Sequence, residues 1–188
     1  MMRLASAAAC LAALFAAPAA AQDAPPVSLA EARASMAGAW EGQLQYLDYS
    51  SQRWEGISVS VTVTLEGDRN TMLRRSVFDD GPRVGNVFIT SISMLGADGV
   101  TEYNSGFRAG RTPWLEAATL SLAAATDASH WTIIALREAE DDNRPARIRE
   151  TTTRDGASLV TLKEVDFLDD TGEEWFSRNR TVLTQAGQ

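Results

Sequence analysis

From Gly38 onward the chain alternates. In Ile57-Ser58-Val59-Ser60-Val61-Thr62-Val63-Thr64-Leu65 every second residue is aliphatic and those between carry hydroxyls, so an extended strand gains one dry and one wet face. A helix would scatter the same residues around its circumference, and consecutive β-branched side chains disfavour it further. The same logic predicts strands over 39–47, 54–65, 71–79, 85–95, 99–105, 117–123, 130–138, 146–153, 158–167 and 174–184. Gly67-Asp68, Asp80-Gly81-Pro82, Asp98-Gly99, Asp155-Gly156 and the run from Asp169 to Gly172 punctuate them. Asp-Gly supplies the positive φ angles of tight hairpins, so successive strands are expected to be antiparallel neighbours. Two connections read as longer loops: Gly106 to Glu116, and the acidic stretch from Glu138 to Pro145. Before the first strand, Ser28 and Glu31 have capping-box spacing, and Leu29, Ala32, Ala34 and Met36 follow until Gly38, which predicts one short helix.

The fold class is therefore all-β and antiparallel, with one domain over 28–188. A closed up-and-down barrel of eight to ten strands and a two-sheet sandwich both accommodate the pattern. Nothing suggests the Greek-key crossovers or the Cys-Trp-Cys core of immunoglobulin-like sandwiches, so the barrel is favoured; closure also removes exposed edges.

Gly38-Ala39-Trp40, a Gly-x-Trp opening the first strand after a helical turn, resembles the start of lipocalins and the wider calycin barrels. The resemblance implies that Trp40 closes one end of the barrel, with Arg178 or Arg180 from the last strand packed over its ring. The chain departs from secreted lipocalins in having no disulfide, none of their longer motifs and ten predicted strands where they have eight. Ten-stranded, haem-binding nitrobindin-like barrels are also similar in outline, and that likeness would make His130 an axial ligand. The barrel is carried over and no cofactor is.

Composition adds a compartment. Met1 to Ala21 joins Arg3, an apolar run and Ala19-Ala20-Ala21, the form of a secretory signal cleaved after Ala21; 22–27, with Pro25-Pro26, reads as a linker. Cleavage takes the net charge from −8 to −9 and removes Cys10, the sole cysteine. A thiol-free acidic domain excludes Cys-ligated zinc and thiol nucleophiles and makes nucleic acid an unfavourable partner. No later stretch is long and apolar enough to span a membrane as a helix. Lys163 as the only lysine, among abundant Arg and Ala, points to a GC-rich bacterial genome, and so to a periplasmic or secreted protein.

Candidate chemistry is sparse. His130 is the only imidazole, and Gly-x-Ser-x-Gly, Walker A, Rossmann and Cys-x-x-Cys patterns are absent. Asp169 to Glu173 reads as a solvated turn before a calcium site. Tyr46, Tyr49, Trp54, Tyr103, Phe107 and Trp114 gather near strand ends, where they would rim a ligand entrance or cap the core; Arg108 and Arg111 would meet an anionic group. Arg74, Glu102, Arg147, Arg149, Glu150, Lys163, Glu164 and Arg178 fall inside predicted strands, where alternation sends about half of them inward. The ligand-binding candidates are Tyr46, Tyr49, Arg74, Tyr103, Arg108, Trp114 and Glu150, with no catalytic residue, metal or cofactor assigned. Binding of a small, mostly apolar molecule with an anionic end ranks first. Protein contact through Glu138 to Asn143 or a strand edge ranks second, and acid–base catalysis by Glu150 or Glu164 third.

Overall fold

The computed structural model describes residues 27–169 and 171–187. The expected signal segment and all of the linker but Val27 lie outside the described residues. In chain order the elements are α1 (Leu29–Ala34), β1 (Gly38–Asp48), β2 (Arg53–Leu65), β3 (Met72–Asp79), α2 (Gly81–Val84), β4 (Asn86–Leu95), β5 (Thr101–Arg108), β6 (Trp114–Asp127), β7 (His130–Asp141), β8 (Arg144–Asp155), β9 (Ser158–Phe167) and β10 (Phe176–Gln185). Each strand pairs antiparallel with its chain neighbours, and β10 returns to β1, closing a barrel. A sandwich is thereby excluded, and no open strand edge remains among the described strands.

The alternation of the sequence becomes an inside and an outside. Trp40 faces Val61, Gly42 faces Val59 and Leu183, and Leu159 faces Leu183, so one row of side chains after another turns inward. Trp40, Val59, Val61, Val63, Met72, Leu95, Leu120, Trp131, Ile133, Leu159 and Leu183 form a buried cluster towards one end. There α1 and the segment after it close the barrel. Ser28 accepts a hydrogen bond from the Glu31 amide at 3.2 Å while the Glu31 carboxylate accepts from the Ser28 amide at 2.8 Å, the expected capping box. The Trp40 indole then donates to the Met36 carbonyl, and the Trp131 indole to the Ser35 hydroxyl, each at 2.9 Å, which pins the segment under the barrel.

The cation over Trp40 is Arg154, 5.4 Å from the ring centroid, in place of Arg178 or Arg180. Antiparallel pairing explains the correction. Trp40 sits opposite Gln185, so Arg180 lies five residues along β10, on the order of 17 Å towards the other end. Arg154 ends β8 at the closed end and donates to the Ser35 carbonyl. Arg180 covers Trp54 on the outer wall at 4.4 Å, and Arg178 pairs with Asp141.

Two loops are shorter than expected. The acidic stretch is a hairpin: β7 runs to Asp141, and Asp142 and Asn143 turn with φ of 54° and 57°, a conformation their short polar side chains tolerate. β5 extends to Arg108 and β6 begins at Trp114, where Gly106 lets the Trp114 ring lie on the strand; a Cβ at Gly106 would sit 1.8 Å from that ring. Between β3 and β4 the Asp80-Gly81-Pro82 turn is the one-turn helix α2, started by Pro82.

Aspartates fasten several hairpins. The Asp48 carboxylate accepts hydrogen bonds from Ser50 and Ser51, and that of Asp68 from Thr71 and Asn70, which hold both carboxyls down from an ordinary 3.8 to about 2. A depressed carboxyl contributes stability that is complete above its unfolded value and lost as pH falls through its folded one. The unfolding temperature is expected to stay level down to about pH 5 and to fall between about pH 4 and 2. In the Asp48→Asn/Asp68→Asn variant the acid limb measured by calorimetry should be shallower.

Candidate functional site

Above the closed end the inward rows turn polar. A cavity of about 360 Å³ lies inside the barrel between Met36, Val63, Met72 and Trp114 on the apolar side and Arg74, Glu102, Asn104, Glu116, Glu150 and Lys163 on the charged side, with Ser91, Ser93, Thr152, Thr161, Asn179 and Thr181 between. Ten strands make the barrel wide enough to leave this space, where an eight-stranded one is commonly filled by side chains. The volume suits a small molecule. Towards the open end Leu44, Ile57, Phe78, Val87 and Ile89 supply the apolar part of a wider opening of about 460 Å³, which Tyr46, Glu55, Asp80 and Arg108 also line.

The interior charges are almost all matched. Arg33, buried, places Nε 2.6 Å from Glu102 and donates to the Asn70 carbonyl and the Ser93 hydroxyl. Arg137 lies 3.2 Å from both Glu116 and Glu150, and Asn104 donates to Glu116 at 3.0 Å. Although Arg137 Nε is that near to Glu116, its N–H is not aimed at the oxygen, so the contact is an ion pair without an aligned hydrogen bond. Asp141 takes Lys163 at 2.8 Å together with Arg178; burial raises its carboxyl pKa, but the hydrogen bonds from these two cations outweigh that and leave it below the ordinary value.

Arg74 is the exception among the cations that line the cavity. It projects from β3 into the cavity, where its Nε makes one long contact of 3.4 Å to the Ser76 hydroxyl, and among the described residues no carboxylate stands within 4.0 Å of its guanidinium. Burial lowers its pKa, and the field of Glu150 opposes that only in part. Arginine nevertheless keeps its charge in proteins. Among the charges in and around the cavity, Arg33, Arg137, Lys163 and Arg178 each contact a carboxylate of Glu102, Glu116, Glu150 or Asp141, and Arg74 contacts none.

The sequence-derived site residues divide accordingly. Arg74, Trp114 and Glu150 meet in the cavity, and Arg108 and Tyr46 line the opening. Tyr49 stands at the same end, its hydroxyl on the Ser177 carbonyl at 2.8 Å. Tyr103 does not join them: Asn104 faces inward, so Tyr103 points out from β5, as does Phe107. Trp54 lies on the outer wall under Arg180, so the aromatic residues do not form a single rim. Lys163, Glu116, Asn104, Ser91 and the cavity threonines were not singled out as binding residues; the signal available was their shared parity with core residues, Lys163 with Leu159 and Val165, and Glu116 with Leu120. Glu164 faces outward onto Arg149 at 2.9 Å, while Glu150 faces inward.

His130 stands in the β6–β7 hairpin at the closed end, half exposed, with Nδ1 2.9 Å from Asp127. No imidazole thus reaches the cavity, and the residues present do not fit the axial histidine that a nitrobindin-like haem site would require. Asp169 and Glu173 turn to Arg144 and Arg147, and no cluster of metal-ligating side chains occurs among the described residues.

No known protein family matches the chain, and no curated protein matches it in sequence. Among solved structures it is similar to Rv2717c from M. tuberculosis, with a TM-score of 0.57 and 11% identity over 85% of this chain and 98% of that one. At that identity the likeness extends to the barrel alone.

Proposed function

We propose that this barrel is an exported carrier for a small amphiphilic monoanion, held with its negative end on Arg74 and its apolar body towards Phe78, Val87 and Ile89. The observation that carries the reading is the part-buried Arg74 guanidinium, which faces the cavity with no carboxylate in contact. A desolvated cation strongly favours an anionic partner, and a carboxylate accepts its fork of N–H donors. The hydroxyls and amides of Ser91, Asn104, Thr152 and Thr181 offer further hydrogen bonds to a polar head, and the apolar opening beyond them accepts a short hydrocarbon or aromatic body. The exported location rests on the sequence of the first 21 residues. Calorimetric titration with octanoate and with 1-octanol, matched in their apolar chain, tests the reading. Octanoate is expected to bind at least about tenfold more tightly; equal affinities, or no binding of either, would overturn it.

A further inference from the structure

We infer that the outer face of β4, β5 and β6 is the contact surface of a symmetric dimer, covered by the same face of a second copy of this chain. Over the stretch where these three strands lie side by side, the outward residues are Phe88, Thr90, Ile92 and Met94, then Tyr103, Ser105 and Phe107, then Leu115, Ala117 and Thr119, without a charge among them. Charged residues make up 22% of the chain, and the opposite wall carries Arg147, Arg149, Glu164 and Asp166 at comparable outward positions. The register draws the apolar side chains together. Ile92 and Leu115 flank Ser105 on either side, Phe107 faces Thr90 beside Phe88, and Met94 faces Tyr103.

Among the described residues these side chains are left exposed. Leu115 is 77% exposed and Phe88 62%, and Ile92, Met94, Tyr103 and Phe107 each keep 44–48% of their surface in solvent. Together they expose on the order of 700 Å², polar atoms included, which is at the upper end for the largest patch on a monomer and close to the ~800 Å² that each partner contributes to a standard interface. Phe, Tyr and Met without charge at the centre match the composition of an interface core.

The surroundings select the occupant. Arg75, Arg83 and Arg111 border the patch, and so do Asp79, Asp80 and Asp98, all exposed. A rim of both signs can meet its own copy across a two-fold axis with opposite charges opposed. An anionic membrane calls for a one-signed basic rim, which the three aspartates spoil. Pairing through strand edges is closed to this molecule, because the barrel has none among its described strands.

Sedimentation equilibrium of the isolated protein, alongside Phe107→Glu/Leu115→Glu, tests the inference. Both substituted side chains point away from the interior, so circular dichroism and octanoate binding should match the parent. The parent is expected at twice the 20.3 kDa chain mass, or twice the processed mass if the signal is removed, and the variant at one chain mass, with its dimer dissociation constant raised at least about 100-fold. A parent that stays monomeric at 100 µM, or a dimer that survives in a folded variant, would overturn it. So would a monomeric parent that sediments with phosphatidylglycerol vesicles while the variant does not, since that assigns the face to lipid.

Discussion

Arg74→Met is expected to weaken octanoate binding about 100-fold or more while leaving 1-octanol binding unchanged or improved. The same substitution should raise the unfolding temperature by about 5 °C, because it removes a part-buried charge without a carboxylate partner, worth about 1–2 kcal/mol in a domain of this size. The opposed signs are what distinguish a binding residue from a structural one. A structural arginine, deleted, costs stability and affects both ligands through the disturbed fold. Arg74 has one hydrogen-bond contact to lose, the 3.4 Å approach to Ser76, and it faces a cavity lined in part by serines and threonines. Calorimetry of the two proteins with both ligands measures every quantity needed. A destabilised variant with parallel losses for octanoate and octanol would contradict the assignment.

Arg33→Ala should have the largest effect on stability, a loss of about 3–5 kcal/mol by urea denaturation. Arg33 is 2% exposed and ties three parts of the molecule to α1: Glu102 on β5, Ser93 on β4 and the Asn70 carbonyl in the β2–β3 hairpin. Its removal leaves Glu102 part-buried without its cation and a carbonyl without its donor. Adding Glu102→Gln should restore much of the loss, since the unpaired charge is then gone. The double-variant cycle is expected to be non-additive by about 2–3 kcal/mol. Strict additivity would mean that the contact between helix and barrel, and not the ion pair, carries the stability. Ser93 and Glu102 also line the cavity, so the plug that closes the barrel sets part of the floor on which a ligand rests.

Much of this molecule was legible because period-two alternation is a direct image of an inside and an outside. β2 and β9 were bounded within a residue by aliphatic alternation and Asp-Gly turns, and the capping box marked α1. The two faces of the later strands were harder, for a physical reason. In β9 the inward row reads Leu159, Thr161, Lys163, Val165, Phe167, and polarity does not separate it from the outward one, because it crosses a wet cavity midway. In β10 a bulge between Ser177 and Asn179 switches parity, so Phe176 faces inward with Val165 while Asn179, Thr181 and Leu183 continue that face. No single alternating set describes the strand, and Arg178, the extra residue, reaches Asp141 instead of the closed end. The gathering of aromatics near strand ends misled for a related reason. Tyr103 and Phe107 are close in sequence to Trp114, but parity sends them to the outer wall and Trp114 into the cavity.

A bound ligand is expected to lie with its acid inward at Arg74 and its apolar end outward. A crystal of the complex with 8-bromooctanoate, measured at the bromine absorption edge, locates both ends in one experiment. The bromine is expected near Phe78, Val87 and Ile89, with the carboxylate on the Arg74 guanidinium. Bromine beside Arg74 with the carboxylate at the open end, or an interior without bound ligand at saturating concentration, would contradict it.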